Sequence, residues 1–190
     1  MSEPFSKVRF VASAPSLKEF KGQMLPGILV VGRSNVGKST LINGILNAKL
    51  AFSSKKAGKT KALNYFLVDD SFYLIDSPGY GSTGFATMST VQFSTLMEES
   101  LPSPSIRGIV LLLDLRREPS EEDKAFYSYL QSFHKPILVV LTKTDQMNQS
   151  ALAKARKTAL DLGFDRAIES ELKLKNRAFL RKAILSLLKR

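Results

Sequence analysis

The stretch GRSNVGKST, residues 32–40, fits the pattern G-x-x-x-x-G-K-[ST] and follows an apolar run that ends at Val31. Glycines at 32 and 37 let the backbone curl, so that successive N–H groups converge on phosphate oxygens. A helix expected from about Lys38 adds its positive end to the same point. Lys38 supplies a cation for the β- and γ-phosphates, and the Ser39 hydroxyl is a ligand of the kind Mg²⁺ takes. The candidate cradle is therefore Gly32, Arg33, Ser34, Asn35, Val36, Gly37, Lys38, Ser39 and Thr40. A serine-hydrolase elbow is excluded, because valine stands where the second glycine of G-x-S-x-G is required.

Two further stretches bear on the same ligand. TKTD, residues 142–145, directly follows the strand-like ILVVL. An aspartate at 145 accepts two hydrogen bonds from the N1–H and exocyclic amine of guanine. Adenine presents neither at that edge and would leave the carboxylate unpaired. Lys143 is expected along the base plane. DSPGYG, residues 76–81, ends the run FYLI and has the form of a γ-phosphate sensor. Where many triphosphate switches place a water-orienting glutamine after that glycine, this chain has Tyr80. Asp76 and Asp114 both end apolar strands, and either suits a second-shell role on magnesium. An ATPase or phosphotransferase in which TKTD is accidental is the rival that nucleotide competition would remove.

Apolar runs alternate with helix-length segments around these motifs. ILVV (28–31), ALNYFLV (62–68), FYLID (72–76), GIVLLLDL (108–115) and KPILVVLTK (135–143) read as strands, with a short one near Ala167 and Ile168. Only residues 69–71 separate the second and third runs, which predicts a hairpin and so one antiparallel strand. Helices are expected over STLINGILNAKL, PSEEDKAFYSYLQSF, SALAKARKTALDLGF and the C-terminal segment. The pattern predicts an α/β fold of three layers: a mostly parallel sheet with one antiparallel strand and helices on both faces. Ligands then belong at the carboxyl ends of the strands. One domain over residues 1–190 is expected, with an N-terminal strand or extension over about 1–25.

Cysteine is absent, which removes disulfides and thiol chemistry, and the single histidine, His134, reads as a surface residue before the strand at Lys135. No segment has signal-peptide or membrane-span character, so a cytoplasmic protein that does not engage membranes is expected. The net charge of +11 favours a polyanionic partner.

GRSNVGKS, a threonine within GKTKALNYF, DSPGYG and TKTD, in that order, resemble the translation-factor-like P-loop GTPases. With DLRREPSEED, residues 114–123, the chain more narrowly resembles the EngB (YihA) family of bacterial ribosome-biogenesis GTPases, from about Val8 to the C-terminus. The resemblance implies a GTPase of weak intrinsic rate that binds GTP and GDP with Mg²⁺ and assists assembly of the large ribosomal subunit. It implies that Thr60, beside Gly58 and Lys59, completes the magnesium shell begun by Ser39. Asp76 would act on magnesium through water, with Ser77 and Pro78 leading to Gly79, whose amide senses the γ-phosphate. Thr142, Lys143, Thr144 and Asp145 would hold guanine, with Ser170, Glu171 and Leu172 as the last motif. That motif departs from the family's serine pair at Glu171. In similar proteins the glutamine is also missing, and Asn35 of the G-x-x-N-x-G-K-S form implies K⁺ as a further cation. Lys38, Asn35, Thr60 and Gly79 are thus the candidate catalytic residues. The rival from another class is a non-hydrolysing, guanine-nucleotide-dependent RNA-binding scaffold.

Five lysines and no acid lie between Lys49 and Lys61, and eight basic residues against two acids between Arg166 and Arg190. In the last segment Leu180, Ala183, Ile184, Leu187 and Leu188 share one helical face, with Arg181, Lys182 and Lys189 off it. The expected partner is the precursor of the large ribosomal subunit and its rRNA, engaged by a monomer.

Overall fold

Strands covered on both faces do not need to alternate in polarity, and the runs GILVVG and IRGIVLLLD do not. The structure, a computed structural model, describes residues 4–51, 62–81, 89–161, 167–170 and 176–189. Its elements are β1 (Val8–Ala14), β2 (Gly27–Gly32), α1 (Lys38–Leu46), β3 (Leu63–Val68), β4 (Phe72–Asp76) and α2 (Thr90–Ser100). They continue with β5 (Ile106–Asp114), α3 (Glu121–Gln131), β6 (Ile137–Thr142), α4 (Gln149–Asp161), β7 (Ala167–Ser170) and α5 (Arg177–Ser186).

The sheet has seven strands in the order β1-β3-β4-β2-β5-β6-β7. Only β3 runs against its neighbours, pairing antiparallel with β1 and β4, while every other pairing is parallel. The expected fold class and the hairpin are both present, and β1 forms one edge of the sheet. Asp69 and Asp70 make that hairpin turn with φ of 49° and 50°, a left-handed conformation that aspartate tolerates better than most residues.

Alternate side chains of the central strands feed two cores. Ile28, Val30, Val110 and Leu112 pack with Leu41, Ile42 and Ile45 of α1 and Leu180 and Ile184 of α5. Leu29, Val31, Ile109 and Leu111 pack on the other face with Phe93 and Met97 of α2, Leu130 of α3 and Leu152 of α4. The helix α2 lies between β4 and β5 in sequence and is not among the helices expected, although Phe93, Leu96, Met97 and Leu101 recur at helical spacing. Its signature is local: Ser89 and Gln92 form a reciprocal capping box, worth about 1 kcal/mol.

The apolar stripe of α5 docks as expected, but its arginine does not stay off the packed face. Arg181 Nε donates to the Ile45 carbonyl at 2.8 Å, and its guanidinium lies 5.1 Å from the centre of the Phe5 ring. An arginine stem can lie along apolar surface while its head finds acceptors, so helical spacing alone misplaces it. His134 is exposed, as expected.

β2 lies between β4 and β5, and the chain reaches these two neighbours in opposite directions from it. The carboxyl ends of β2, β4, β5 and β6 therefore bring residues 32–39, 76–80, 114–117 and 142–145 to one edge.

Candidate functional site

The loop between β2 and α1 is shaped by backbone conformations that most residues avoid. Asn35 has φ of 64° and Gly37, the N-cap of α1, has φ of 108°. Both lie in the left-handed region, and at Gly37 glycine takes it without a Cβ penalty. The loop is pinned from outside by neighbouring strand ends. Thr142 Oγ1 donates to the Val36 carbonyl at 2.8 Å, and Lys143 Nζ donates to the Asn35 carbonyl at 2.8 Å. Thr142 is thus a buried fastener between β6 and the phosphate loop.

Lys38 folds back over the loop, its Nζ 3.1 Å from the Gly32 carbonyl and 3.2 Å from that of Arg33. Burial lowers the pKa of its ammonium, and the Asp76 charge opposes that shift. Asp76, 4% exposed at the end of β4, has its pKa pushed up to about 6 by burial, against the pull of Lys38 and an Asn64 hydrogen bond. Its Oδ1 is buried and has no hydrogen-bond partner among the described residues. An orphaned carboxylate oxygen costs free energy unless something positive or a water reaches it. Beside a phosphate loop, that is the requirement of a hydrated divalent cation. Among the described residues no group of three or more His, Cys, Asp or Glu gathers to hold a metal, here or elsewhere, so a cation at this point would rest on one carboxylate, a hydroxyl and other ligands. The residues present fit Mg²⁺, which Asp76 and Ser39, at the first turn of α1, would hold. Thr60, with Gly58 and Lys59, lies outside the described residues.

The other strand-end aspartate has a different role. Asp114 accepts hydrogen bonds from Arg116 Nε at 3.0 Å and Nη2 at 2.8 Å, and from Lys143 Nζ at 2.9 Å. Burial alone would raise its carboxyl, but the bonds from Arg116 and Lys143 outweigh it and hold the pKa well below the ordinary range. Of the two aspartates weighed for magnesium, Asp76 keeps a free oxygen and Asp114 is saturated. Asp114 instead fixes Lys143, the residue expected beside the base. Asp114→Ala is expected to weaken guanine-nucleotide binding about tenfold and to lower stability by about 1–3 kcal/mol, read by titration and denaturant unfolding. Unchanged affinity with lower stability would reduce Asp114 to a fold contact.

Asp145 is exposed in the short 3₁₀ turn Thr144–Gln146, and Thr144 is buried beneath it. Thr142 pairs in register with Ser170, so β7 brings the first residue of the last motif beside TKTD. Glu171 and Leu172 lie outside the described residues. Ser77 is a buried turn residue, its Oγ 2.8 Å from the Val30 carbonyl.

The sensor segment leans directly on the phosphate loop. A Cβ on Gly79 would lie 2.7 Å from the Cα, N and Oγ of Ser34, a separation real side chains do not reach. Ser34 N–H donates to the Tyr80 carbonyl at 2.9 Å, which extends the β2–β4 pairing beyond both strands. Arg33 contributes backbone to the cradle, while its side chain turns away to Ser120 Oγ at 3.3 Å and to Glu122. Arg117, Ser120 and Asp123 form a cluster there, although in the sequence DLRREPSEED reads as a strand end, a helix start and a family marker. The available signal is the S-x-x-D spacing of Ser120 and Asp123, which the structure shows as a capping box on α3.

Residues 27–143 match the family model described as "50S ribosome-binding GTPase". The "Probable GTP-binding protein EngB" of Lactobacillus helveticus is 41% identical over 161 residues, covering 82% of each chain. That of Thermoanaerobacter pseudethanolicus is 41% identical over 150 residues, 78% of each. Among solved structures, a probable GTP-binding protein engB has a TM-score of 0.66 at 21% identity, covering 86% of this chain and 98% of its own. Era bound to MgGDPNP and nucleotides 1506–1542 of 16S ribosomal RNA has a TM-score of 0.62 at 23% identity, covering 87% and 56%. With a phosphate loop and this similarity over most of its length, the chain belongs to the EngB family of P-loop GTPases.

Proposed function

We propose that this GTPase is a switch that assists assembly of the large ribosomal subunit, hydrolysing GTP slowly when alone. The observation that carries the switch is the contact of Gly79 with Ser34: the segment that meets the γ-phosphate already touches the loop that holds the other phosphates. In this reading Gly32 to Thr40 bind the phosphates and Lys38 bridges the β- and γ-groups. Ser39, Thr60 and Asp76 hold Mg²⁺, and Asp145 with Lys143 reads guanine. Residues 1–190 act as one cytoplasmic, monomeric GTP-binding domain.

The partner follows from charge and kinship. A net charge of +11 suits RNA, the matching family is described as 50S ribosome-binding, and Era, a structural neighbour, has been seen with ribosomal RNA. Because γ-phosphate contacts order switch segments, binding to large-subunit precursor particles is expected to be stronger with a GTP analogue than with GDP. It should also weaken at least tenfold between about 50 and 200 mM salt. Equal binding in both nucleotide states would refute the switch.

In the same reading K⁺ sits beside the phosphates. Asn35 is exposed, and Lys143 takes its backbone carbonyl and not its carboxamide, whose oxygen is of the kind a monovalent cation takes. Turnover is expected to rise about tenfold in KCl over matched NaCl, and Asn35→Ala to remove that rise. Turnover at background in both salts and with particles, with GTP still bound, would favour the non-hydrolysing scaffold.

A further inference from the structure

Tyr80 occupies the position at which many triphosphate switches carry a glutamine, yet its side chain does not sit among the residues of the nucleotide site. The ring is 6% exposed and packs on Phe93 and Phe126, with centroids 5.9 and 4.7 Å away. Its hydroxyl donates to Asp123 Oδ1 at 2.8 Å. Asp123 is fully buried, and its other oxygen accepts from Ser120 N–H, Ser120 Oγ and Arg117 Nη1, each at 2.9 Å. Burial would raise this carboxyl, but those bonds with that of Tyr80 outweigh it and keep it ionised. The Tyr80 hydroxyl therefore donates to a desolvated carboxylate, among the stronger hydrogen bonds a neutral donor makes.

The same point is tied back to the phosphate loop. Arg33 lies 5.8 Å from the centre of the Tyr80 ring, 3.9 Å from Asp123, and bonds Ser120 and Glu122. The Tyr80 backbone accepts from Ser34 N–H at 2.9 Å and donates to the Gly32 carbonyl at 3.4 Å. Gly79 is thus clamped between the loop it touches and a residue anchored in α3.

We propose that the Tyr80–Asp123 bond is a latch that holds the Gly79 amide in place for the γ-phosphate, which makes Tyr80 and Asp123 positioning residues for GTP over GDP. This rests on the reading of Gly79 as the γ-phosphate sensor. A donor held in place before the ligand arrives does not have to be ordered by it, so the latch strengthens only the contact that GTP has and GDP lacks. With tyrosine in place of glutamine, the side chain orients the sensor instead of the water.

The test is the affinity of GDP and of a non-hydrolysable GTP analogue, both with Mg²⁺, for the wild type, Tyr80→Phe, Asp123→Asn and Gly79→Ala. Thermal unfolding and GDP binding serve as fold controls. Tyr80→Phe keeps the ring and removes only the hydroxyl, so GDP affinity should stay within about twofold while analogue affinity falls about 5–10-fold. Asp123→Asn should shift the preference in the same direction, and Gly79→Ala, whose Cβ cannot fit against Ser34, should remove it. Equal losses for both nucleotides in Tyr80→Phe would make the bond a plain core contact and overturn the latch. A preference kept in Tyr80→Phe but lost in Gly79→Ala would overturn the latch and leave the sensor reading standing. A preference kept in Gly79→Ala would overturn both.

Discussion

Asp145→Asn should cost about 10³-fold or more in GTP affinity and transfer preference to xanthine nucleotides. The two hydrogen bonds expected from guanine both need an acceptor at residue 145. An asparagine offers one oxygen and turns a donor toward the exocyclic amine, leaving two donors facing each other. Xanthine has a carbonyl at that carbon and restores the pairing. Losses of this size are typical where a polar edge is left unmatched, and exceed those from apolar misfit. The scaffold for this contact is rigid: Thr142 is fastened to Val36, and Lys143 is held by Asn35 and Asp114. Competition of GTP, XTP, GDP and ATP for wild type and variant measures the loss. A GTP loss below tenfold would mean that residue 145 does not read the base, and would reopen the adenine reading.

What the sequence reveals and what it hides divide along one physical line. The phosphate loop is legible because its requirements are local: glycine for a left-handed turn at 37, a cation at 38, a strand before and a helix after. The strands are legible because continuous apolar runs such as 28–31 and 109–113 fit a doubly covered sheet. The β3–β4 hairpin follows from a three-residue gap. The direction of a side chain across the fold has no such local signal. Tyr80 and Asp123 are 43 residues apart, and nothing in DSPGYG says that a phenol turns toward α3. Asp114 and Asp76 look alike as strand-end aspartates. Only the pairing of Asp114 with Arg116 and Lys143, against the orphaned oxygen of Asp76, separates them. Arg181 is misplaced by helical spacing for the same reason, since its acceptor lies on α1.

Lys38→Met should reduce affinity for Mg²⁺–GTP by about 10²–10⁴-fold, since it deletes the charge-assisted contacts expected to two phosphates, worth roughly 1.5–3 kcal/mol each. The free protein should tolerate the change far better, because burial already penalises the Lys38 cation and methionine fills a similar volume. The variant should also move a pH dependence. Magnesium needs Asp76 ionised, while burial holds its pKa at about 6 with Lys38 pulling it down. In the wild type, protons compete with the metal as pH falls through about 6. The Mg²⁺-dependent part of nucleotide affinity should then decline toward tenfold per pH unit. Without the Lys38 charge the Asp76 pKa rises further, and the decline should begin at a higher pH. GDP titrations in EDTA should show neither step, because no metal then competes with the proton. If Lys38→Met left the onset of the decline where it is in the wild type, Lys38 and Asp76 would not share a field. Asp76 would then lose its claim to the metal.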